Sequence, residues 1–472
     1  MDTTPLLLAG RLHPTPRAAE IRSPWDGTPV GHAALASRDD VLAAIAAAER
    51  AAPACAALPS HARAAVLRRV HAGVLARKVE LATLLAREAG KPIALATLEV
   101  DRALFVLALA AEEATRIGGE VLPLDLLPAG EGRWAASRRF PLSPASAITP
   151  FNFPLLLAVH KLAPAIACGA AMVLKPPPQD PLVVLALGAI LAESGYPEGA
   201  LSIVPCDVAD AAPLVEDPRP RLLSFTGSAA VGWALRQRAG TKRVVLELGG
   251  NAAVIVEPDA DLGRAVERIV AGGFAYSGQS CISVQRVLAH RDVARELAER
   301  LVAAVRALRA GDALDPATET GPMIDERSAA RAEGWIRDAV AQGATLATGG
   351  RRDGNRLEPT VLLGARAGMA VHDEEAFAPL VCVTPYDTFE EAARLVNATR
   401  WGLQAGVFTR DVRRAMQAWA ALDVGAVVLD DVPTFRVDHM PYGGAKNSGL
   451  GREGVRAAIR EMTEERLLIL RE

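Results

Sequence analysis

Between residues 38 and 88, apolar residues recur every three or four positions, with arginine and glutamate on the opposite side. That period predicts amphipathic helix, with Asp39 and Ser60 as its expected N-caps. A further helix is expected over 93–115, closed off by Gly118-Gly119. Over 120–139 the pattern alternates and is interrupted by Pro123, Pro128 and the turn Gly130-Glu131-Gly132. This reads as an exposed hairpin, an arm suited to contact with a partner.

The period then changes. Short apolar runs at 145–149, 171–175, 201–204, 222–225 and 244–248 alternate with helical stretches at 155–168, 181–194, 209–215 and 229–239. Strand–helix alternation of this kind builds a parallel sheet with crossover helices, which binds nucleotides at the carboxyl ends of its strands. A second α/β set follows Asn251, with strands at 252–256 and 284–289, helices at 262–275 and 293–308, and later strands at 381–385, 406–408 and 427–429. The tail, 464–470, reads as a terminal strand, which needs an edge to pair with.

Composition narrows the field. A chain of 472 residues, 50% hydrophobic, suffices for two or three packed domains. A net charge of -3 gives no footprint for nucleic acid or for an anionic membrane surface. The longest uncharged apolar run, 162–174, is short and contains Pro164, so no membrane span is expected. Five scattered cysteines, at 55, 168, 206, 281 and 382, include no C-x-x-C pair. Neither a disulfide framework nor a metal site is expected, and reduced thiols in a cytoplasm are the natural reading. The first residues lack the basic segment of a secretory signal.

Against this background one pairing carries chemistry. Cys281 ends the segment Ser277-Gly278-Gln279-Ser280-Cys281, downstream of Glu247-Leu248-Gly249-Gly250-Asn251. A thiol flanked by small residues is open to a carbonyl, and a carboxylate on a glycine-rich turn can approach it. Nucleophile and base are the minimum for covalent catalysis at carbonyl carbon. Taken singly, Cys281 could be a small core hydrophobe and Glu247 a solvated strand-end carboxylate.

The order of the short blocks resembles the aldehyde dehydrogenase superfamily over nearly the whole chain. They are Thr149-Pro150-Phe151-Asn152-Phe153-Pro154, Val173-Leu174-Lys175-Pro176, Phe225-Thr226-Gly227-Ser228 with Gly232, the Glu247 and Cys281 segments, Glu375-Ala376-Phe377-Ala378-Pro379, and Pro441-Tyr442-Gly443-Gly444 with Ser448-Gly449. The resemblance implies a Rossmann-like cofactor domain (1–118 and 141–249), an α/β catalytic domain (250–449) and a small β oligomerisation arm (119–140 and 450–472), assembled as a homodimer or homotetramer. It implies Cys281 as nucleophile, the Asn152 amide and the Cys281 N–H as oxyanion donors, and Glu247 as the base that activates water. It further implies NAD or NADP as hydride acceptor, held by Lys175, Gly227, Ser228, Gly232 and Glu375, with Phe377, Phe151 and Pro150 beside it. Pro178 stands where many NAD-preferring members carry a glutamate, so both dinucleotides stay open.

For the substrate, the resemblance places Arg102, Phe153, His160, Phe435, Arg436 and His439 along the tunnel. These residues suit a small polar or anionic aldehyde, as in the branch acting on lactaldehyde, glyceraldehyde-3-phosphate and phosphonoacetaldehyde. Blander roles compete: a helix cap for Asn152, a satisfied helix histidine for His160, a surface ion pair for Arg102, and loop anchors for Arg436 and Asp438. Two other functions compete as well. A CoA-acylating enzyme would dispense with the base, which Glu247 argues against, and a catalytically silent scaffold would not need the complete set.

Overall fold

The computed structural model describes residues 2–471. Its first sheet has eight strands, in the order Gly449–Leu450, Arg243–Glu247, Leu222–Thr226, Ala145–Ile148, Met172–Lys175, Leu201–Ile203, Leu6–Leu8, Arg11–His13. The five central strands are parallel. The strand order reverses between Ala145–Ile148 and Leu222–Thr226, and their carboxyl ends lead into Thr149-Pro150-Phe151-Asn152 and Gly227-Ser228. A crevice at such a reversal is where an open parallel sheet receives its ligand.

The second sheet has seven strands, in the order Thr345–Thr348, Thr360–Leu363, Leu380–Tyr386, Val284–His290, Ala252–Val256, Gln404–Phe408, Ala426–Leu429. The chain passes from Glu247, at the carboxyl end of a strand in the first sheet, to Ala252, at the amino end of a strand in the second. Cys281 and Glu375 likewise precede second-sheet strands, so the chemistry-bearing loops gather where the two sheets face each other.

The helical stretch expected over 38–88 is three helices, Arg38–Ala57, Ser60–Ala76 and Lys78–Ala89. Pro59 separates the first two, as a residue without an N–H and with a fixed φ should. The first N-cap is Ser37, not Asp39. Its hydroxyl accepts from Asp40 N while the Asp40 carboxylate accepts from Ser37 N, a reciprocal capping box. Ser60 is the first residue of its helix rather than the cap. The strands before residue 35 escaped the sequence reading because they are only two to six residues long.

The helix Pro154–Cys168 is buried along all 15 residues, packed against Ile93–Glu113. That explains its nearly uninterrupted apolar sequence. The hairpin strands Val121–Pro123 and Arg133–Pro141 form a small sheet with Thr463–Arg471, so the terminal strand finds its edge within its own chain. Residues 449–461 do not extend that arm. Gly449–Leu450 pairs with Arg243–Glu247, and the helix Val455–Glu461 packs on Pro154–Cys168. Among the described residues no single helix is long and apolar enough to cross a membrane.

Candidate active site

Cys281 is placed by an unusual turn. Tyr276, Ser277 and Gly278 have φ of 49°, 54° and 67°, three left-handed residues in succession. For residues other than glycine that conformation costs about 1 kcal/mol or more each, so it persists only where contacts over-determine it. The Tyr276 hydroxyl donates to Ala89 O at 2.9 Å, and Ser277 bonds the Thr320 hydroxyl at 3.0 Å. Gln279 Oε1 accepts from Ile324 N at 2.8 Å. A Cβ on Gly278 would lie 2.1 Å from Ala378 O, so only glycine fits.

Asn152 is brought to this turn from the first sheet. Its Nδ2 donates to Gln279 O at 3.1 Å, leaving a second N–H free to point elsewhere. From the other side, Lys91 Nζ donates to the Asn152 carbonyl at 2.6 Å and to Glu99. Glu99 Oε1 in turn accepts from Leu155 N and Leu156 N, both at 3.1 Å, at the start of the buried helix. Phe153 lies under the Lys91 ammonium, 4.0 Å from it, with the Arg102 guanidinium 5.9 Å away.

Glu247 is buried, and among the described residues neither carboxylate oxygen meets a donor. It lies against the Pro441–Gly444 turn, where a Cβ on Gly443 would come within 3.0 Å of Oε1. Burial, and next the Glu453 carboxylate, push its pKa well above the usual carboxylate range, against the opposing charges of Arg436 and Lys161. The solvated strand-end carboxylate is therefore not what the structure holds. Cys281 Sγ lies 3.1 Å from the Tyr442 hydroxyl. Burial pushes the thiol up to about 11, while the Tyr442 bond and the Arg436 charge pull it down.

The expected cofactor residues lie on the strand ends and loops of the two sheets. Lys175, at the end of Met172–Lys175, is buried, and among the described residues its ammonium reaches only its neighbour's carbonyl, Pro176 O at 3.3 Å. Burial lowers its pKa. A buried cation without a strong partner suits a ribose hydroxyl or a phosphate. Ser228 is the N-cap of Ala229–Arg238, and its side chain makes no capping bond. Gly227 and Gly232 have packing duties too, since a Cβ would lie 2.6 Å from the Phe225 ring at the first and 2.4 Å from Leu248 at the second. Glu375 accepts from Gly250 N at 3.0 Å, and burial pushes it up to about 7. Phe151 and Phe377 meet edge to face, with ring centroids 5.8 Å apart, and half-buried Pro150 adjoins them in the loop.

The six substrate candidates divide. Arg102 and His160 converge on Asp438 rather than on open space: Arg102 grips it at 2.9 and 2.7 Å, and His160 Nε2 lies 3.0 Å from Oδ1. Lys161, beside His160 in the sequence, turns inward to Ser224, Thr226 and Glu453 at 2.9, 2.8 and 3.1 Å. An unpaired charge in a fully buried helix would be costly, which accounts for Lys161, whereas burial lowers the His160 pKa and favours its neutral ring. Arg436 is different. Its guanidinium lies 3.7 Å from the Tyr442 ring centroid and 3.3 Å from Glu453, while its Nε has no hydrogen-bond partner among the described residues. Phe435 and His439 are exposed, with His439 edge-on to Phe105.

Sequence reasoning passed over Tyr442, Lys91, Glu99 and Glu453. Tyr442 stood inside a quoted block. The one signal the sequence holds for Lys91 is its setting, Gly90-Lys91-Pro92, between two helix breakers.

A thiol, an amide and an orphaned carboxylate, gathered beside a nucleotide-type crevice, make up an α/β enzyme of covalent carbonyl chemistry. The chain belongs to the aldehyde dehydrogenase family, whose model matches residues 13–468. It is 40% identical over 466 residues to 3-sulfolactaldehyde dehydrogenase of Priestia aryabhattai, covering 98% of this chain and 97% of that one. Among solved structures it resembles aldehyde dehydrogenase 21 of Physcomitrella patens in complex with the reaction product succinate (TM-score 0.98, 42% identity, 100% and 98% of the two chains). It also resembles the NADP-dependent glyceraldehyde-3-phosphate dehydrogenase of Bacillus halodurans complexed with NADP (TM-score 0.97, 35% identity, 100% of both chains).

Proposed function

We propose that this enzyme oxidises a short aldehyde bearing an anionic group to the carboxylic acid, with NAD or NADP as acceptor. The observation that carries the substrate half is Arg436, a largely buried guanidinium whose Nε makes no hydrogen bond among the described residues, with the Asp438 carboxylate 3.8 Å off, one tyrosine ring away from the Cys281 sulfur. The similar enzymes are named for, or bind, molecules that carry a sulfonate, a carboxylate or a phosphate. Arg436 offers the planar fork such groups favour. Arg102, His160 and Asp438 serve as the frame that holds its loop, and Phe153, Phe435 and His439 flank the approach.

In this reading the Cys281 thiolate adds to the aldehyde carbon. The free N–H of Asn152 and the Cys281 backbone N–H receive the developing oxyanion. Lys175, Ser228 and Glu375, beside Phe151, Phe377 and Pro150, would hold the dinucleotide, which would supply the hydride acceptor; loss of that hydride from the carbon bonded to Cys281 leaves a thioester. Gly227 and Gly232 let the Ala229–Arg238 helix lie close enough to its strand to present its amino end. Glu247 then removes a proton from the water that attacks the thioester carbon, and the acid departs as Cys281 regains its thiolate. A carboxylate without internal partners, raised in pKa by burial, is equipped for that proton.

The two large sheets act as cofactor and catalytic domains. The small sheet serves in a homodimer or homotetramer, a role supported by Leu467, Leu468 and Ile469, all more than half exposed on its outer strand. The deciding experiment is an aldehyde panel with both dinucleotides. Arg436→Met should slow every aldehyde, because Arg436 also lies on the Tyr442 ring beside the thiol, but should lower kcat/KM for sulfonated, carboxylated or phosphorylated aldehydes by about 100-fold more than for hexanal, the scale of a lost charge-assisted contact. A wild-type enzyme that prefers hexanal would overturn the substrate assignment.

A further inference from the structure

Among the described residues, the buried Tyr442 hydroxyl has one hydrogen-bond partner, the Cys281 sulfur at 3.1 Å. The ring does not depend on that contact for its place. Tyr442 N donates to Glu453 O at 3.0 Å, and Glu453 N donates back to Tyr442 O at 2.6 Å, forming an isolated bridge. The adjoining backbone is closed by Gly454, where a Cβ would meet Met440 O at 2.2 Å. The Arg436 guanidinium covers the ring face from 3.7 Å. A backbone-anchored phenol, with a cation on its face and a nucleophilic sulfur at its tip, is a constructed arrangement.

Its chemistry follows from what each atom can give. A thiol can donate weakly to the phenol oxygen, but a thiolate carries no proton. Once Cys281 ionises, the contact survives only with the phenol as donor, and it becomes a charge-assisted bond. Tyr442 keeps its proton for this task, since burial and the nearby Cys281 push its own pKa well above 10. Arg436, stacked on the ring, makes the O–H more polar and adds its own charge to the sulfur's surroundings.

We propose that Tyr442 is a catalytic residue that donates a hydrogen bond to the Cys281 thiolate, with Arg436 polarising it, so that the half-buried thiol gives up its proton to solvent in a site that otherwise opposes charge. This deepens the proposed function and rests on its assignment of Cys281 as the nucleophile. When the sulfur attacks carbonyl carbon, its negative charge passes to the carbonyl oxygen. The hydroxyl then loses its charged acceptor, and no proton leaves Tyr442 at any point. The bond therefore raises the fraction of thiolate while reducing the reactivity of each one, a net gain wherever the working pH lies below the thiol pKa.

The test is alkylation of Cys281 by iodoacetamide as a function of pH, followed by mass of the Cys281 peptide, in wild type, Tyr442→Phe and Tyr442→Leu. The assay needs neither aldehyde nor dinucleotide, so its failure is separable from failure of the functional reading. In Tyr442→Phe the midpoint should rise by roughly one unit, with about tenfold slower alkylation below it and an equal or higher plateau above it. The Phe variant should keep the wild-type preference for anionic aldehydes, because Arg436 still has its ring, whereas the Leu variant should lose part of that preference as well. A Phe variant with wild-type thermal midpoint and an unmoved alkylation midpoint would overturn the proposal. So would an alkylation rate lowered equally at every pH, since that is the mark of a merely structural role.

Discussion

The ammonium of Lys91 donates to the backbone carbonyl of Asn152 at 2.6 Å while sharing its charge with Glu99. The same group lies 4.0 Å from the Phe153 ring and 4.6 Å from that of Tyr276. One buried cation therefore ties the loop of Asn152 to the turn that carries Cys281. Lys91→Met should leave Glu99 as an uncompensated buried charge and cost about 3 kcal/mol, toward the low end for breaking such a pair because two helix amides still solvate the carboxylate. Urea unfolding measures this, and Lys91→Met combined with Glu99→Gln should recover part of the loss.

Asn152 makes one side-chain hydrogen bond, to Gln279 O. Asn152→Ala should accordingly fold with little change in thermal midpoint and lose its effect at the oxyanion alone. The expected drop in kcat is about 100- to 1,000-fold, the range for a deleted oxyanion donor. A decrease under fivefold in single-turnover experiments would contradict the role.

The pH dependence of turnover should carry the mark of Glu247. A carboxyl whose pKa is raised is neutral below it and accepts a proton only above it. Thioester hydrolysis should therefore rise with pH through that elevated pKa. Glu247→Gln should flatten the rising limb and slow steady-state turnover while sparing the first burst of reduced dinucleotide. A burst lost in step with turnover would contradict this assignment.

Glu375, pushed up to about 7, titrates within the working range. Its ionised form accepts from ribose hydroxyls more strongly than its neutral form, so the KM for dinucleotide should fall as pH rises through about 7 and become flat in Glu375→Gln. The fold should feel the opposite sign. Because the folded pKa is the higher one, this group's contribution to stability is full below about 4.5 and lost as pH rises through about 7. Gly249→Ala offers a second route to the same defect: its Cβ would sit 2.1 Å from Glu375 Oε2 and displace the carboxylate.

What the sequence revealed depended on whether a signal was local. Cys281, Glu247 and Asn152 lie in short blocks, and the strands that carry them are apolar runs flanked by helices, so both fold class and family were legible. Lys91 and Glu99 were not, and the partners of Asp438, offered as a loop anchor, were not either, because each matters through residues far along the chain: Lys91 meets Asn152, and Asp438 meets Arg102 and His160. A histidine and a lysine in an apolar helix look like substrate contacts until the buried carboxylates they bond are located. Tyr442 was hidden differently, since its block counted only toward the family resemblance and the hydroxyl on its ring drew no attention.

The segment Phe435-Arg436-Val437-Asp438-His439 alternates, with Phe435, Val437 and His439 exposed and Asp438 buried under Arg102 and His160. The buried aspartate is bolted to two helices, so the loop's course does not depend on the residues it displays. Such a segment is a rack with exchangeable slots. Libraries randomised at 435, 437 and 439 should yield folded enzymes with new aldehyde preferences, whereas change at 438 should let the rack itself collapse. Divergence toward a different aldehyde is thereby open to this enzyme through three surface positions, with no alteration to the thiol chemistry behind them.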